Sequence, residues 1–168
     1  MKHIVNKLSL IPTLGLLLSL MFLTTSCEQQ NYEPNMSVAP GGGTLSTYKA
    51  YTLSSADGSV VYGRVVFYKY SSSVTLVQIG LYNTTAGTSY ASSIYQGKLT
   101  TGSATALKAL DTVSGATGEF SSNKYFTISE AGFYEKLGSY DANVKVMAGT
   151  VLVASGNIGA NAAPVAQS

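Results

Sequence analysis

The sequence predicts an all-β domain, folded as an antiparallel sandwich or barrel of about eight strands with at most one short helix. Apolar and polar residues alternate along most of the chain from Leu45 onward, which is the period of a strand rather than of a helix. Turn-forming residues separate these segments at short intervals, and no helices alternate with them. Strands joined by short turns pair antiparallel, so a sandwich or barrel is favoured over a parallel sheet.

The clearest predicted strand covers residues 60–70. Its odd-numbered residues from Val61 to Phe67 fall on one face, which we expect to face the core, and its even-numbered residues fall on the other. Further β-like segments are residues 74–83, 90–99, 104–113, 124–128, 140–147 and 151–158. Turn-forming residues lie at 57–58, 71–73, 101–102, 115–118 and 148–149.

One helical segment is predicted at residues 130–137, with Ser129 as its N-cap and Gly138 as its terminator. We expect it to lie in a connection between strands. The folded domain is then expected over residues 44–160. Residues 161–168 are small and polar, which predicts a disordered tail.

The amino terminus resembles a bacterial lipoprotein signal. Lysines precede an apolar run at residues 8–23, and small residues lead from this run to Cys27. The run is shorter than the roughly 20 residues that a membrane-spanning helix needs. Thr25 and Ser26 fit the lipobox pattern, whereas Thr24 stands where leucine is usual. The alternatives are an ordinary soluble export signal and an uncleaved anchor.

Lipidation would make Cys27 the first residue of the mature protein and residues 1–26 the signal peptide. Two or more acyl chains on Cys27 would anchor the chain stably, so the membrane is an expected partner. Residues 27–43 contain two prolines and a run of three glycines, which predicts a flexible tether. The expected location is the bacterial cell envelope, at the outer membrane, and the sequence leaves open which membrane face carries the domain.

Charge and composition argue against several functional classes. Two of the ten basic residues lie in the signal, which leaves eight basic and eight acidic residues and no basic stripe for nucleic acid. The only histidine, His3, also lies in the signal, and the only cysteine is Cys27. Histidine-dependent catalysis and ordinary zinc sites are therefore not expected. We predict a protein that is not an enzyme and has no cofactor or metal. A small enzyme or metal-binding domain that uses scattered carboxylates is the alternative.

Tyr62, Tyr68 and Tyr70 share one face of the predicted strand at residues 60–70 and are candidate ligand-facing residues. Such a row of rings could stack against sugars, which would make the chain a glycan-binding module. A half-buried sheet also recruits tyrosine for packing, because the ring fits a pleated surface while the hydroxyl stays hydrated. Both interpretations stay open here.

Four short motifs follow one another along the chain: residues 90–97 (YASSIYQG), 110–118 (LDTVSGATG), 140–147 (YDANVKVM) and 154–159 (ASGNIG). Their order resembles that of the chordin-type (CHRD) domain of bacterial secreted proteins. The resemblance covers roughly residues 60–161. It implies an antiparallel sandwich of the immunoglobulin-like or copper-zinc superoxide dismutase-like kind.

The chain departs from the CHRD pattern at its histidines. The family's histidine positions correspond here to Tyr90, Ser93, Tyr95 and Met147. Tyrosine, with a pKa of about 10, and methionine are poor replacements for imidazole as metal ligands. The resemblance therefore implies a degenerate site, and a binding or structural role with an envelope protein or a glycan as partner. If the alignment is right, Tyr95 and Met147 lie on neighbouring strands of one sheet.

The tripeptide Asp111-Thr112-Val113 is similar to a short O-glycosylation signal of some Gram-negative envelope proteins. Three residues recur by chance in many sequences. The motif therefore leaves glycosylation of this chain open.

Overall fold

The computed structural model describes residues 45–101 and 105–166, all of which belong to one compact unit, Asn31–Ser168. The strands in this part of the chain are β1 (Tyr48–Ser55), β2 (Tyr62–Lys69), β3 (Val74–Tyr82), β4 (Ser89–Gln96), β5 (Ala106–Ala109), β6 (Val113–Ser114), β7 (Phe126–Ser129), β8 (Asp141–Ala148) and β9 (Val151–Gly159). One helical turn, α1 (Phe133–Lys136), and a 3-10 helix (Leu137–Ser139) connect β7 to β8.

The strands form a single curled sheet in the order β5-β4-β8-β9-β1-β2-β3-β7, and β6 pairs with β4 as well. Every pairing between these strands is antiparallel. Strand β1 belongs to both halves of the sheet, because residues 48–53 pair with β2 whereas residues 54–55 pair with β9. The two halves enclose a common core. The all-β, antiparallel, sandwich-like fold predicted from the sequence is therefore confirmed.

The main core receives side chains from both halves of the sheet. Tyr51 and Phe67 come from the β1–β2 half, and Val144 and Ile158 come from the β8–β9 half. The core face predicted along residues 60–70 is confirmed, since the odd-numbered residues from 61 to 67 are all buried, although Val66 and Tyr68 on the opposite face are buried as well. Burial of large apolar side chains contributes about 1.5–3 kcal/mol each, so this core is the principal source of stability.

A smaller apolar cluster lies on the outer face of β1, β2 and β3. Its buried members are Ala50, Val66, Tyr68 and Leu76, and the half-buried residues packed against them are Leu45, Tyr48, Val74 and Tyr125. The cluster shows that this outer face is only partly exposed. Its open part lies at the other end of β2, near Tyr62.

The chain after β9 is more ordered than the sequence predicts. The N–H of Val165 donates to the carbonyl of Ala50 at 2.8 Å, so the tail pairs with the free side of β1. The Nδ2 of Asn161 donates to the Oδ1 of Asp141 at 2.7 Å. The prediction of a disordered tail from residue 161 is therefore wrong for residues 161–166, because tertiary hydrogen bonds hold them.

Two elements differ from their predicted bounds. The helix predicted at residues 130–137 with Ser129 as N-cap begins only at α1, because Gly132 has a left-handed φ of 71° that a right-handed helix cannot contain. The strand predicted at residues 104–113 is divided into β5 and β6. Between them the hydroxyl of Ser92 donates to the carbonyl of Asp111 at 2.8 Å, which supports an irregular segment rather than a strand.

The predicted signal peptide, the tether and Cys27 lie outside the described residues. Within residues 45–101 and 105–166, no helix is long and apolar enough to cross a membrane. The lipid anchor therefore stays a prediction from the sequence.

The core contains a buried tyrosine hydroxyl that lies near the backbone of Gly159 but has no partner at hydrogen-bond distance among the described residues. Tyr51 is 1 % exposed, and its ring packs edge-on against Phe67 with ring centroids 6.1 Å apart. No described group pairs with the hydroxyl oxygen. Burial raises the pKa of Tyr51, and the nearby backbone of Gly159 offsets part of that rise. An unpaired buried hydroxyl costs about 1–3 kcal/mol, so this side chain weakens the core that it fills.

We expect Tyr51→Phe to stabilise the domain by about 1 kcal/mol at about pH 8, because it removes the unpaired hydroxyl and keeps the ring. The gain should grow above about pH 10, since the unfolded wild-type chain then releases a phenolic proton that the fold retains. The pKa of Tyr51 is higher in the folded than in the unfolded state. The wild-type protein therefore keeps its full stability below the unfolded pKa and loses stability as the pH rises through the folded pKa. Urea denaturation of Asn31–Ser168 on both sides of about pH 10 measures both effects.

Tyr62→Phe is the matched control for Tyr51→Phe, because Tyr62 is 46 % exposed. The control should change stability by less than about 0.5 kcal/mol at neutral pH. A loss of more than about 1 kcal/mol in Tyr51→Phe would show that the hydroxyl has a partner in solution.

Candidate functional site

The residues at the family's histidine positions are only partly brought together. Strand β4 pairs with β8, so Tyr95 and Met147 lie on neighbouring strands, and that prediction is confirmed. They are four residues out of register, which corresponds to roughly 13 Å along the sheet. Ser93 shares the outer face with them, whereas Tyr90 points into the core and is 3 % exposed. The four residues therefore do not form one site.

The side chains of this outer face make contacts typical of a sheet surface. The Nζ of Lys145 lies 4.8 Å from the centroid of the Tyr95 ring, a cation–π contact worth about 0.5–1 kcal/mol at an exposed position. On the core side, the hydroxyl of Tyr90 accepts the N–H of Thr85 at 3.0 Å. Both tyrosines are thus engaged in structural contacts.

A buried asparagine, which the sequence analysis did not predict as important, holds the loop after β4 against this face. Asn143 lies opposite Tyr95 and is fully buried, and its Nδ2 donates to the carbonyl of Gly97 at 2.7 Å. The neighbouring Asn157 accepts the N–H of Leu99 at 2.9 Å through its Oδ1. The two amides hold the chain after β4 against the sheet. An alternating strand pattern contains no signal for such a contact, because it depends on which loop lies above.

The carboxylates considered for an enzyme or a metal site are engaged separately. The Oδ1 of Asp111 accepts the next backbone N–H at 2.8 Å, and Asp141 accepts the Asn161 amide. Glu135 forms an ion pair with Lys69 at 2.7 Å, and this donor lowers the pKa of Glu135. Across residues 45–101 and 105–166, no three His, Cys, Asp or Glu side chains come together in a way that could hold a metal ion.

The outer face of β2 and β3 carries a pair of stacked, exposed tyrosines. Tyr62 and Tyr82 are directly opposite each other across the two strands. Their ring centroids are 5.3 Å apart, and the ring planes differ by 28°. The residues are 46 % and 54 % exposed. We call these two residues the tyrosine pair.

The other two tyrosines predicted to face a ligand are placed differently. Tyr68 is 6 % exposed and packs against Tyr125 with ring centroids 5.7 Å apart, so the interpretation of Tyr68 as ligand-facing is wrong. Tyr70 is 42 % exposed, but it is eight residues from Tyr62 along the strand, or roughly 26 Å. The exposed partner of Tyr62 is Tyr82, from the next strand. Only the register between the strands reveals that pair.

A glycine beside the tyrosine pair leaves open space on the surface of the sheet, which we call the open floor. Gly80 lies two residues before Tyr82 on the same face, opposite Arg64, and a Cβ atom at Gly80 would meet nothing within 4 Å. Gln78 follows on that face and accepts the hydroxyl of a buried tyrosine. The surface next to the two rings therefore has open space at Gly80, with the polar residues Arg64 and Gln78 beside it. This shape fits a flat ligand that lies against the rings.

A scan against protein-family models, a search of curated proteins and a search of solved structures find no match to this chain. The resemblance to CHRD domains therefore stays a prediction from four motifs. The candidate site is defined by its own geometry.

Proposed function

We propose that this chain is a lipid-anchored, non-catalytic binding domain of the bacterial cell envelope that binds carbohydrate through the tyrosine pair. The observation that carries the proposal is the stacking of Tyr62 and Tyr82 in an exposed position, beside the open floor at Gly80. The CHRD-like sandwich would serve as the rigid support for this surface.

The chemistry of the pair suits a sugar ring. Each aromatic ring presents an apolar face with a hydroxyl at its edge, so it can stack on the C–H face of a pyranose while the hydroxyl hydrogen-bonds. Covering on the order of 100 Å² of apolar surface contributes about 2.5 kcal/mol. The tyrosines lie on two paired strands rather than on a loop, which fixes their geometry before the ligand arrives.

Binding by such a small surface is expected to be weak, and the proposed anchor compensates for this. A dissociation constant near 1 mM corresponds to only about 4 kcal/mol. Many copies held on one membrane by Cys27 would present many tyrosine pairs to one polysaccharide, and avidity exceeds the single-site affinity by about 10²–10⁴. The anchor and the weak site therefore support one function.

The proposal that the domain is not an enzyme rests on the composition. The only histidine is His3 and the only cysteine is Cys27, and both lie before the folded domain. The sequence thus provides neither a histidine base nor a thiol nucleophile within the fold.

A glycan array followed by calorimetric titration of the strongest glycan tests the carbohydrate site. We expect Tyr62→Ala and Tyr82→Ala each to weaken binding at least about tenfold, which corresponds to 1.4 kcal/mol. The matched control is Tyr70→Ala, because Tyr70 is similarly exposed but lies beyond the end of β2, far from the pair. An array without any binding by the wild-type domain would refute the carbohydrate assignment. An equal loss in Tyr70→Ala would refute the assignment to the pair.

A further inference from the structure

An apolar cleft opens between the β4–β8 strand pair and the connection that contains α1. Its volume is about 400 Å³, which lies within the roughly 300–1,000 Å³ typical of small-molecule sites. The core residues Ile94, Ala142 and Ile158 contribute to its lining, so the cleft reaches the main core. Leu107 of β5 lies at the edge and is 58 % exposed. The domain thus has a concave apolar surface that is separate from the tyrosine pair.

One wall of the cleft is aromatic. The rings of Phe133 and Tyr140 meet edge to face, with centroids 5.3 Å apart and an interplanar angle of 63°. Tyr140 is partly exposed, so its ring can contact a molecule in the cleft. Aromatic rings attract cations over their faces with about 0.5–2 kcal/mol.

The polar residues around the cleft carry more negative than positive charge. Glu130 and Asp141 contribute two carboxylates, whereas Lys108 contributes one ammonium group. Burial raises the pKa of Tyr140, and the negative charge of Glu130 raises it further, which indicates that this carboxylate acts on the aromatic wall. The Oδ1 of Asp141 accepts the Asn161 amide on the strand face opposite to Ala142, so this carboxylate adds to the negative charge near the cleft without lying over its apolar lining. The field at the cleft therefore favours a cation.

We propose that this cleft binds a small molecule with an apolar body and a positively charged amine. The apolar body would lie against the exposed Leu107, above the buried floor formed by Ile94, and the amine would lie between the Tyr140 ring and the carboxylate of Glu130. The proposal does not depend on carbohydrate binding, because none of these residues belongs to the tyrosine pair.

Three probes share an aromatic body and differ in charge: phenethylamine is a cation, phenethyl alcohol is neutral and phenylacetate is an anion. Comparing their affinities measures the charge preference of the cleft. Amide NMR shifts of the purified protein locate binding and give affinities. We expect phenethylamine to shift the amides of Ile94, Ala142 and Tyr140 and to bind at least about tenfold tighter than phenylacetate, with the alcohol between them. Shifts that map elsewhere, an anion that binds as well as the amine, or no shifts at about 10 mM of any probe would overturn the proposal.

Substitutions at the exposed rim separate charge from apolar contact without disturbing the core. Glu130→Gln should weaken the amine about fivefold and leave the alcohol unchanged, because it removes a charge only. Leu107→Ser should weaken all three probes alike. The matched controls are Glu119→Gln, an exposed carboxylate outside the cleft, and Val151→Ser, an apolar residue that is 63 % exposed elsewhere. An effect of Glu119→Gln equal to that of Glu130→Gln would contradict a local role of Glu130.

The variant Tyr62→Ala distinguishes this proposal from the carbohydrate site. It should weaken glycan binding at least about tenfold and leave the phenethylamine affinity unchanged within about twofold. If Tyr62→Ala kept the wild-type Tm and still weakened both ligands alike, phenethylamine would bind at the tyrosine pair, and the cleft assignment would be wrong.

Discussion

Gly63→Ala is expected to destabilise the domain by about 3 kcal/mol, whereas Gly80→Ala is expected to stabilise it by about 0.4–1 kcal/mol. Gly63 is buried on the core face of β2, and a Cβ atom there would clash with the backbone carbonyl of Gly80 and crowd the Cα of Leu81. Backbone atoms of a paired strand cannot rotate away, so the two strands would have to separate. At Gly80 the corresponding space is empty, and alanine restricts the unfolded chain.

Thermal unfolding of Asn31–Ser168 measures this difference. Gly63→Ala should lower the Tm by roughly 10 °C, and Gly80→Ala should leave it equal or higher. Because Gly63 is next to Tyr62, Gly63→Ala should also disturb the tyrosine pair and weaken the binding proposed there. If both variants were equally stable, the close approach of β2 and β3 at this point would be refuted.

Cys27→Ser is expected to release the protein from the membrane. Serine cannot carry the thioether-linked lipid, and two or more acyl chains account for nearly all of the proposed membrane affinity. The membrane-bound fraction should fall almost to zero, because the variant carries no acyl chain and even one chain gives an association constant of only about 10⁴ M⁻¹. Fractionation of cells and labelling with an alkyne fatty acid measure the loss. Because the chain has no other cysteine, the labelling assay reports on this residue alone.

A second variant, Thr24→Leu, tests whether the residues before Cys27 act as a lipobox. Leucine is usual at that lipobox position, so this change should speed processing and leave the final labelling intact. Labelling of Cys27→Ser at the wild-type level would refute the anchor. A Thr24→Leu chain that is processed more slowly than wild type would refute the lipobox interpretation.

Strand periodicity predicted most of the fold because each long strand has one face in the core. Along residues 61–67, Val61, Val65 and Phe67 recur at even spacing on the core face, and this pattern is local to the strand. The helix start was not predictable in the same way. The N–H of Gly132 donates to the carbonyl of Ser72 at 2.9 Å, and this contact with the β2–β3 turn accompanies the left-handed backbone that precedes α1. A contact 60 residues away in the chain has no local signature.

The same limit applies to the candidate sites. Tyr62 and Tyr68 are equivalent by alternation, but Tyr125 from a distant loop covers one of them and not the other. Tyr82 becomes the partner of Tyr62 only through the pairing of β2 with β3. The charged cleft brings together residues from five separate segments between Ile94 and Ile158, so no motif in the chain predicts it.

The amino-acid sequence by itself determined the all-β class, the core face of the long strands and the turns between them, and it predicts an anchor at Cys27. Each of these depends on residues that are neighbours in the chain. The tertiary structure alone decided which tyrosines are exposed, where α1 begins, and that the tail pairs with β1. Those features depend on the register between strands and on loops that lie over them. The contacts that stabilise these features join residues far apart in sequence, so no local pattern predicts them.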